Sequence, residues 1–213
     1  MEDPILDEQL AYYRARAPEY DASVAGLTRL VARATPLLQP LGPCKQILEL
    51  ACGTGTWTHV LLTLGQEITA LDAAPEMLQI ARQKLGDAAV RYEQANLFHW
   101  EPRQVYDLVF CADWVSHVPP AQLDAFLEQV RRAVRPHGHL VIVDQYAPTA
   151  EDQRLATGEL YATRPLHDGR RFTIVKVFYD LTLLQDKLRY LGFTVAVHPL
   201  SDVFALLSGA RQE

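Results

Sequence analysis

Cysteine is scarce in this 213-residue chain: Cys44, Cys52 and Cys111 are odd in number, far apart and without a C-x-x-C pair. That pattern excludes a disulfide scaffold, argues against zinc and suits a reducing compartment, so a cytoplasmic location is expected. No apolar run reaches the ~18 residues of a membrane span, and the acidic start Met1-Glu-Asp-Pro lacks the apolar stretch of a signal peptide. Basic residues are outnumbered, 20 Lys and Arg against 26 Asp and Glu. The resulting charge of −6 leaves no broad basic face for nucleic acid. Repeats and low-complexity tracts are missing. His137-Gly-His139 has no third ligand nearby and reads as a turn, so no metal is expected. Membrane and nucleic-acid partners are not expected, a small-molecule partner is, and a homodimer is left open.

What is present is globular: 49% hydrophobic and 22% charged residues. One domain over 1–213 is expected, with a helical cap over 1–43. Helical spacing over 5–17 stops at Pro18, and a second helix is read from Asp21 to Ala34, ended by Thr35-Pro36. Strands at 46–50, 67–71, 89–94, 106–112 and 138–144 alternate with helices near 56–64, 76–85 and 121–134. Pro136-His-Gly138 reads as the turn into the last of these strands. This alternation implies right-handed βαβ units and a parallel sheet, an α/β fold. Residues 145–169 are polar and carry Pro148, Gly158, Pro165 and Gly169. They read as an insertion over the sheet with one short helix near 150–161. A strand at 170–177, a helix at 181–191 and a closing hairpin of 193–197 with 203–209 complete the chain.

Chemistry concentrates in Ile47-Leu-Glu-Leu-Ala-Cys-Gly-Thr-Gly-Thr-Trp57. A buried strand breaks into a glycine turn and opens a helix, bringing bare backbone and a helix N-terminus to a ligand. A dinucleotide fingerprint needs a third glycine, and Thr58 stands there. The next strand, Ile68-Thr-Ala-Leu-Asp72, ends in a carboxylate 19 residues beyond Gly53. A carboxylate so placed accepts from both hydroxyls of a ribose, and it also reads as a cap for the helix after Pro75.

The E-x-A-x-G-T-G turn resembles motif I of class I S-adenosylmethionine (SAM) methyltransferases. The resemblance extends over the chain: Gln94-Ala-Asn-Leu-Phe-His-Trp100 is similar to the adenine-covering segment, with Asn96 where the family has an acid. Tyr106-Asp-Leu-Val-Phe-Cys-Ala-Asp113 is similar to motif IV. Gln9-Leu-Ala-Tyr-Tyr-Arg-Ala-Arg-Ala-Pro-Glu-Tyr-Asp21, Trp114-Val-Ser-His-Val-Pro119, Asp168-Gly-Arg170 and Phe172-Thr-Ile-Val-Lys-Val-Phe178 resemble a bacterial small-molecule subgroup typified by dehydrophos-pathway phosphonate O-methyltransferases. From that pattern Leu27 departs, standing where a substrate-contacting tyrosine occurs. The resemblance implies a Rossmann-like seven-stranded sheet of order 3-2-1-4-5-7-6, an N-terminal cap and a substrate-covering insertion at 145–178. It implies SAM as cofactor, with S-adenosylhomocysteine as product. Cofactor contacts are expected from Tyr12, Arg16, Tyr20, Ala51, Gly53, Gly55, Trp57, Asp72, Ala73, Met77, Asn96, Leu97, Phe98 and Ala112.

Methyl transfer is an in-line displacement, so orientation of the acceptor matters most. An ionised phosphonate or carboxylate needs no base; a neutral hydroxyl or amine does. Arg164 and Lys176 match the anion-holding pair of the subgroup, with Arg170 as a weaker spare and Tyr13 and Trp114 as further pocket residues. Lys176 shares strand parity with Phe172, Ile174 and Phe178, which puts one lysine on an apolar face. His117 follows motif IV and reads either as a general base or as a loop histidine. Tyr12 and Arg16, four apart on a helix, share one face. Oxygen methylation of a small anionic acceptor is the expected function. A neutral acceptor with His117 as base, and a SAM-binding protein without turnover, stay open.

Overall fold

The computed structural model describes residues 3–23 and 26–213. The N-terminal cap is α1 (Pro4–Arg16), α2 (Tyr20–Ser23) and α3 (Leu27–Leu38). The α/β body follows as β1 (Cys44–Leu50), α4 (Thr56–Leu61), β2 (Gly65–Asp72), α5 (Pro75–Leu85), β3 (Val90–Gln94), β4 (Tyr106–Ala112), α6 (Pro120–Ala133) and β5 (Val134–Gln145). Then come α7 (Ala150–Leu155), β6 (Tyr161–Pro165), β7 (Arg171–Val175), α8 (Leu181–Tyr190), β8 (Phe193–Pro199) and β9 (Phe204–Arg211). Seven strands form one sheet in the order β3-β2-β1-β4-β5-β9-β8, and β6 and β7 form a separate hairpin. Counting only sheet strands, this is 3-2-1-4-5-7-6 with its seventh strand antiparallel, as the resemblance implied.

Strands β1 and β4 are apolar runs because helices cover both faces of the sheet. Alternate residues sort to the two sides. Leu48, Leu50, Val109 and Ile142 meet Leu123, Phe126 and Val130 of α6. Ile47, Leu108, Phe110 and Val141 meet Leu30 and Leu38 of α3, Leu61 of α4 and Leu78 of α5. The chain steps outward from β1 to β3 and then returns to β4, so the carboxyl ends of β1 and β4 flank a topological switch point, where α/β sheets open a crevice. None of the described helices is long and apolar enough to cross a membrane.

Four sequence readings need correction. The single helix from Asp21 to Ala34 is instead α2 and α3, with Val24 and Ala25 outside the described residues. Helix α3 runs through Pro36 to Leu38, because the carbonyl that the proline deprives, Ala32, lies on the exposed side. The turn expected at Pro136-His-Gly138 is part of β5. The pairing with β4 shifts register between Tyr106 and Leu108, whose partners Val134 and His139 are five residues apart, and His137, at φ +62°, lies within this irregular stretch. Finally, the insertion helix stops at Leu155, and β6, unread in the sequence, pairs with β7. Its polar residues carry no strand signal of their own; the partner strand and the cap supply it.

Helix α1 docks on this hairpin. Glu8 accepts from the Thr173 backbone N–H (2.7 Å) and Gln9 from that of Val175 (3.0 Å), which satisfies the open edge of β7. On the other side of α1, Arg14 forks onto Glu76 of α5, and Asp21 holds Thr54 Oγ1 (2.6 Å) and Lys84 Nζ (2.7 Å).

Gly55 caps α4 at φ +86°, and a Cβ there would stand 2.9 Å from Leu85 Cδ1 and 3.2 Å from Ala81 Cβ. Gly55→Ala should lower unfolding free energy by about 1–3 kcal/mol, from left-handed strain plus overpacking. Gly53→Ala, whose Cβ meets nothing closer than 3.9 Å, should cost less. Urea denaturation of both variants checks the order.

Candidate active site

The glycine turn is built at the carboxyl end of β1. Ala51, Gly53 and Gly55 all take positive φ, at 55°, 54° and 86°. The Asp72 carboxylate at the end of β2 holds the turn: Oδ2 accepts from Gly53 N (2.9 Å) and Oδ1 from Ala74 N (2.8 Å). Burial still outweighs those bonds and raises its pKa to about 6. Beneath the turn, Glu49 of β1 is fully buried and accepts from Thr58 Oγ1 (2.6 Å), with its pKa raised to about 8 by desolvation.

A cavity opens in front of this turn. Ala51, Gly53, Asp72, Ala73 and Met77 form one wall, and Asn96, Leu97, Phe98, Ala112 and Trp114 the other. Leu6, Leu10, Tyr13 and Tyr20 of the cap roof it. Nine of the fourteen residues expected at the cofactor therefore meet here, and Tyr20 makes a tenth. The exceptions have physical causes. Trp57 is buried in the core against Phe110, 5.2 Å between ring centroids, and Gly55 packs on α5. Tyr12 and Arg16 face the neighbouring cavity, the Arg16 guanidinium lying 5.4 Å from the Tyr12 ring and 5.1 Å from the Tyr20 ring. The Asn96 side-chain oxygen accepts from Phe98 N (3.0 Å), so it shares its acceptor capacity with the local turn.

The neighbouring cavity has a volume of about 740 Å³ and lies between the cap, the β6–β7 hairpin and the carboxyl ends of β4 and β5. Tyr13, Tyr20 and Asp113 line both cavities, and so mark their junction. Lys176 is 9% exposed, donates to Ser116 Oγ (3.1 Å) and stands over the Phe178 ring at 5.2 Å. Burial pushes its pKa down, while Asp144 and Asp113 hold it up. Arg164 faces the same cavity but is bound to Asp152 (2.6 Å). That carboxylate also accepts from Thr149 and Gln145, which holds it well below the usual carboxylate range. Trp114 lies in the first cavity instead, against Phe98. Arg170 reaches neither: it is exposed at the hairpin turn and pairs with Asp168 (2.8 Å).

His117 is buried between the two cavities and Val175. Its Nδ1 lies 2.7 Å from the Val175 carbonyl, which can only accept, so Nδ1 carries the proton. Its Nε2, 2.9 Å from the Tyr13 hydroxyl, is then an acceptor. Burial, followed by the field of Lys176, drives the imidazole well below the ordinary histidine range, so it is neutral at pH 7. Asp113 was read in the sequence only as the end of motif IV, with no site role. It sits at φ +51°, a left-handed conformation in a non-glycine residue, and burial and Asp144 raise its pKa. The Asp152 network also went unread, although Thr149 followed three residues later by Asp152 is a capping-box spacing.

A glycine turn against a strand-end carboxylate, facing a second pocket, defines a nucleoside-cofactor enzyme of the Rossmann-like class. A methyltransferase-domain family model matches residues 47–138. The structure of a DhpI–SAH complex is 36% identical, covers 100% of this chain and 99% of that one, and superposes with a TM-score of 0.87. A DhpI–SAM–HEP complex is 37% identical over 98% of this chain, also at 0.87. The malonyl-[acyl-carrier protein] O-methyltransferase of Anoxybacillus flavithermus is 35% identical over 113 residues, and this chain spans 43% of its length. The chain belongs to the class I SAM-dependent methyltransferases.

The first cavity fits that cofactor. Two bonds leave lone pairs of Asp72 for a ribose diol. Met77 and Leu97 make an apolar slot for a planar base, and the tyrosines of the cap give a cation aromatic neighbours.

Because folding raises the Glu49 pKa, the buried carboxyl stabilises fully below its unfolded value near 4.5, and that contribution is lost as pH climbs through about 8. Glu49→Gln should therefore flatten the fall in stability between pH 5 and 8. Relative to wild type it should gain at pH 8 and not at pH 4.5, as chemical denaturation at several pH values would read.

Proposed function

We propose that this methyltransferase acts on an ionised oxygen of a small acceptor, of phosphonate or carboxylate type, held in the larger cavity. The observation that carries this reading is the state of His117. Its only free lone pair is occupied by the Tyr13 hydroxyl, and protonating it would place a cation beside Lys176 and Arg164. It is a poor base, and an acceptor that arrives ionised needs none. The relatives support this reading: DhpI is solved in complex with SAM and HEP, and the malonyl-[acyl-carrier protein] O-methyltransferases act, by name, on an oxygen of a malonyl-carrier conjugate.

When bound, SAM supplies a methyl on a sulfonium; the acceptor oxygen forms the new C–O bond as the C–S pair returns to sulfur. The residues of this chain supply the geometry. Asp72, Met77, Asn96, Leu97 and Phe98 hold the nucleoside end, and Arg16 and Tyr20 take the methionine end. Lys176, steadied by Ser116, meets the acceptor anion as a point charge, and Arg164 offers the guanidinium donors that Asp152 leaves unused. Alignment of this kind supplies up to ~7–11 kcal/mol of a barrier. His117 and Tyr13 keep the junction dry and rigid.

S-adenosylhomocysteine release from SAM with parallel phosphonate, carboxylate, phenol and amine acceptors tests the reading. Turnover is expected on the acids alone. Lys176→Ala should lower kcat/KM about 10–100-fold, the worth of one charged hydrogen bond. The rate on carboxylates, already ionised there, should show no limb rising through the histidine range, and it should fall at alkaline pH as Lys176 loses its proton. Turnover of phenols or amines that survives Lys176→Ala and vanishes in His117→Ala would reverse the assignment.

A further inference from the structure

The larger cavity does not end at Lys176. Its lining continues along the first turns of α3, a passage bordered by Leu27 and Leu30, by Leu200 and Phe204 of the same apolar cluster and by the polar Ser201, with Arg29 and Arg33 on that helix. Arg29 and Arg33 are four apart on one helix face. Arg33 donates to the Leu200 carbonyl, which ties α3 to the loop before β9. Arg29 is exposed and, among the described residues, makes no ion pair or hydrogen bond. The other cations on this wall differ: Arg164 is held by Asp152, Lys176 by Ser116, and Arg16 lies on two tyrosine rings. The cavity thus has cations at the junction, a mixed lining in which these apolar side chains lie with Thr149, Glu151 and Ser201, and an unengaged cation on α3. Its volume of about 740 Å³ lies in the ~300–1,000 Å³ range of sites for ligands much larger than a two-carbon acid.

We infer that the acceptor is an elongated molecule with acidic groups at both ends, one beside Lys176 at the junction and the other at Arg29. This deepens the anionic-acceptor reading and rests on it. Arg29 sets length preference: it rewards only an acceptor long enough to span the passage. Glu151 also faces the cavity, so a cationic tail is the competing outcome.

Calorimetric titration of straight-chain dicarboxylates of graded length, their monoamides and ω-amino acids into the S-adenosylhomocysteine complex tests this, with methyl-ester formation measured in parallel. Dicarboxylates above a threshold length should bind at least tenfold tighter than monoamides of equal length. Arg29→Ala should abolish that difference, and Arg29→Lys should retain part of it. Short monoacids and the affinity for S-adenosylhomocysteine should not change. Equal affinity of diacids and monoamides, tighter binding of ω-amino acids, or indifference to Arg29→Ala would each overturn the inference. Short acids that are still methylated in a Lys176-dependent manner would leave the anionic-acceptor reading standing alone, whereas a failure of every acid to react would remove that reading itself.

Discussion

Gln9 is 3% exposed, and its side chain bonds in two directions. Its oxygen accepts from the Val175 N–H at the end of β7, and its amide donates to the His117 carbonyl at 3.3 Å. One amide therefore ties the cap, the hairpin and the segment after β4 into a single frame. The carbonyl of the same Val175 fixes the His117 tautomer, and the next residue is Lys176. Around the larger cavity, α1, the β6–β7 hairpin and the segment after β4 are held together by this bridge. A buried amide stays in place only if both of its ends are satisfied, and an apolar residue would leave two backbone groups unpaired.

A second constraint acts through charge. The junction brings Asp113, Asp144 and Lys176 out of water together, with Asp152 and Arg164 close by. Buried charges persist only when paired, and the pairing here is uneven. Asp152 is satisfied by four donors, whereas Asp113 is pushed toward its neutral form. Lys176 consequently retains charge to offer a ligand, while Arg164 offers only its remaining donors. Under the proposed function, anion holding would fall mainly on the lysine rather than on the arginine with which the resemblance pairs it.

The cap explains how two cavities share one wall. Helix α1 roofs the first through Leu6, Leu10 and Tyr13 and borders the second through Tyr12, Tyr13 and Arg16. Its tie to α5 combines one exposed ion pair, Arg14 with Glu76, worth no more than about 1 kcal/mol, with apolar packing of Leu10 and Tyr13 on Met77 and Ile80. Its ties to β7 are backbone N–H bonds to side chains, one of them buried.

Much of this was legible because local chemistry dictated it. The glycine turn needs positive φ at Gly53 and Gly55, strand periods of two sort Ile47 from Leu48, and Asp72 sits where a strand-end carboxylate meets that turn. Such features depend on neighbours close in sequence or on a recurrent βαβ unit, so the residues alone determined the parallel α/β body and the glycine turn, while the sheet order followed from the family resemblance. Tertiary structure decided the rest. Tyr12 and Tyr13 are adjacent in the chain, yet only Tyr13 reaches the first cavity, because helix rotation turns Tyr12 onto Phe172. Trp57 entered the core and Arg170 stayed at the surface, since neither position is fixed by spacing. His117 became a neutral acceptor only because Val175, 58 residues away, presents a carbonyl to its ring. Protonation and pairing depend on burial and on distant partners, and neither is a property of a residue read by itself.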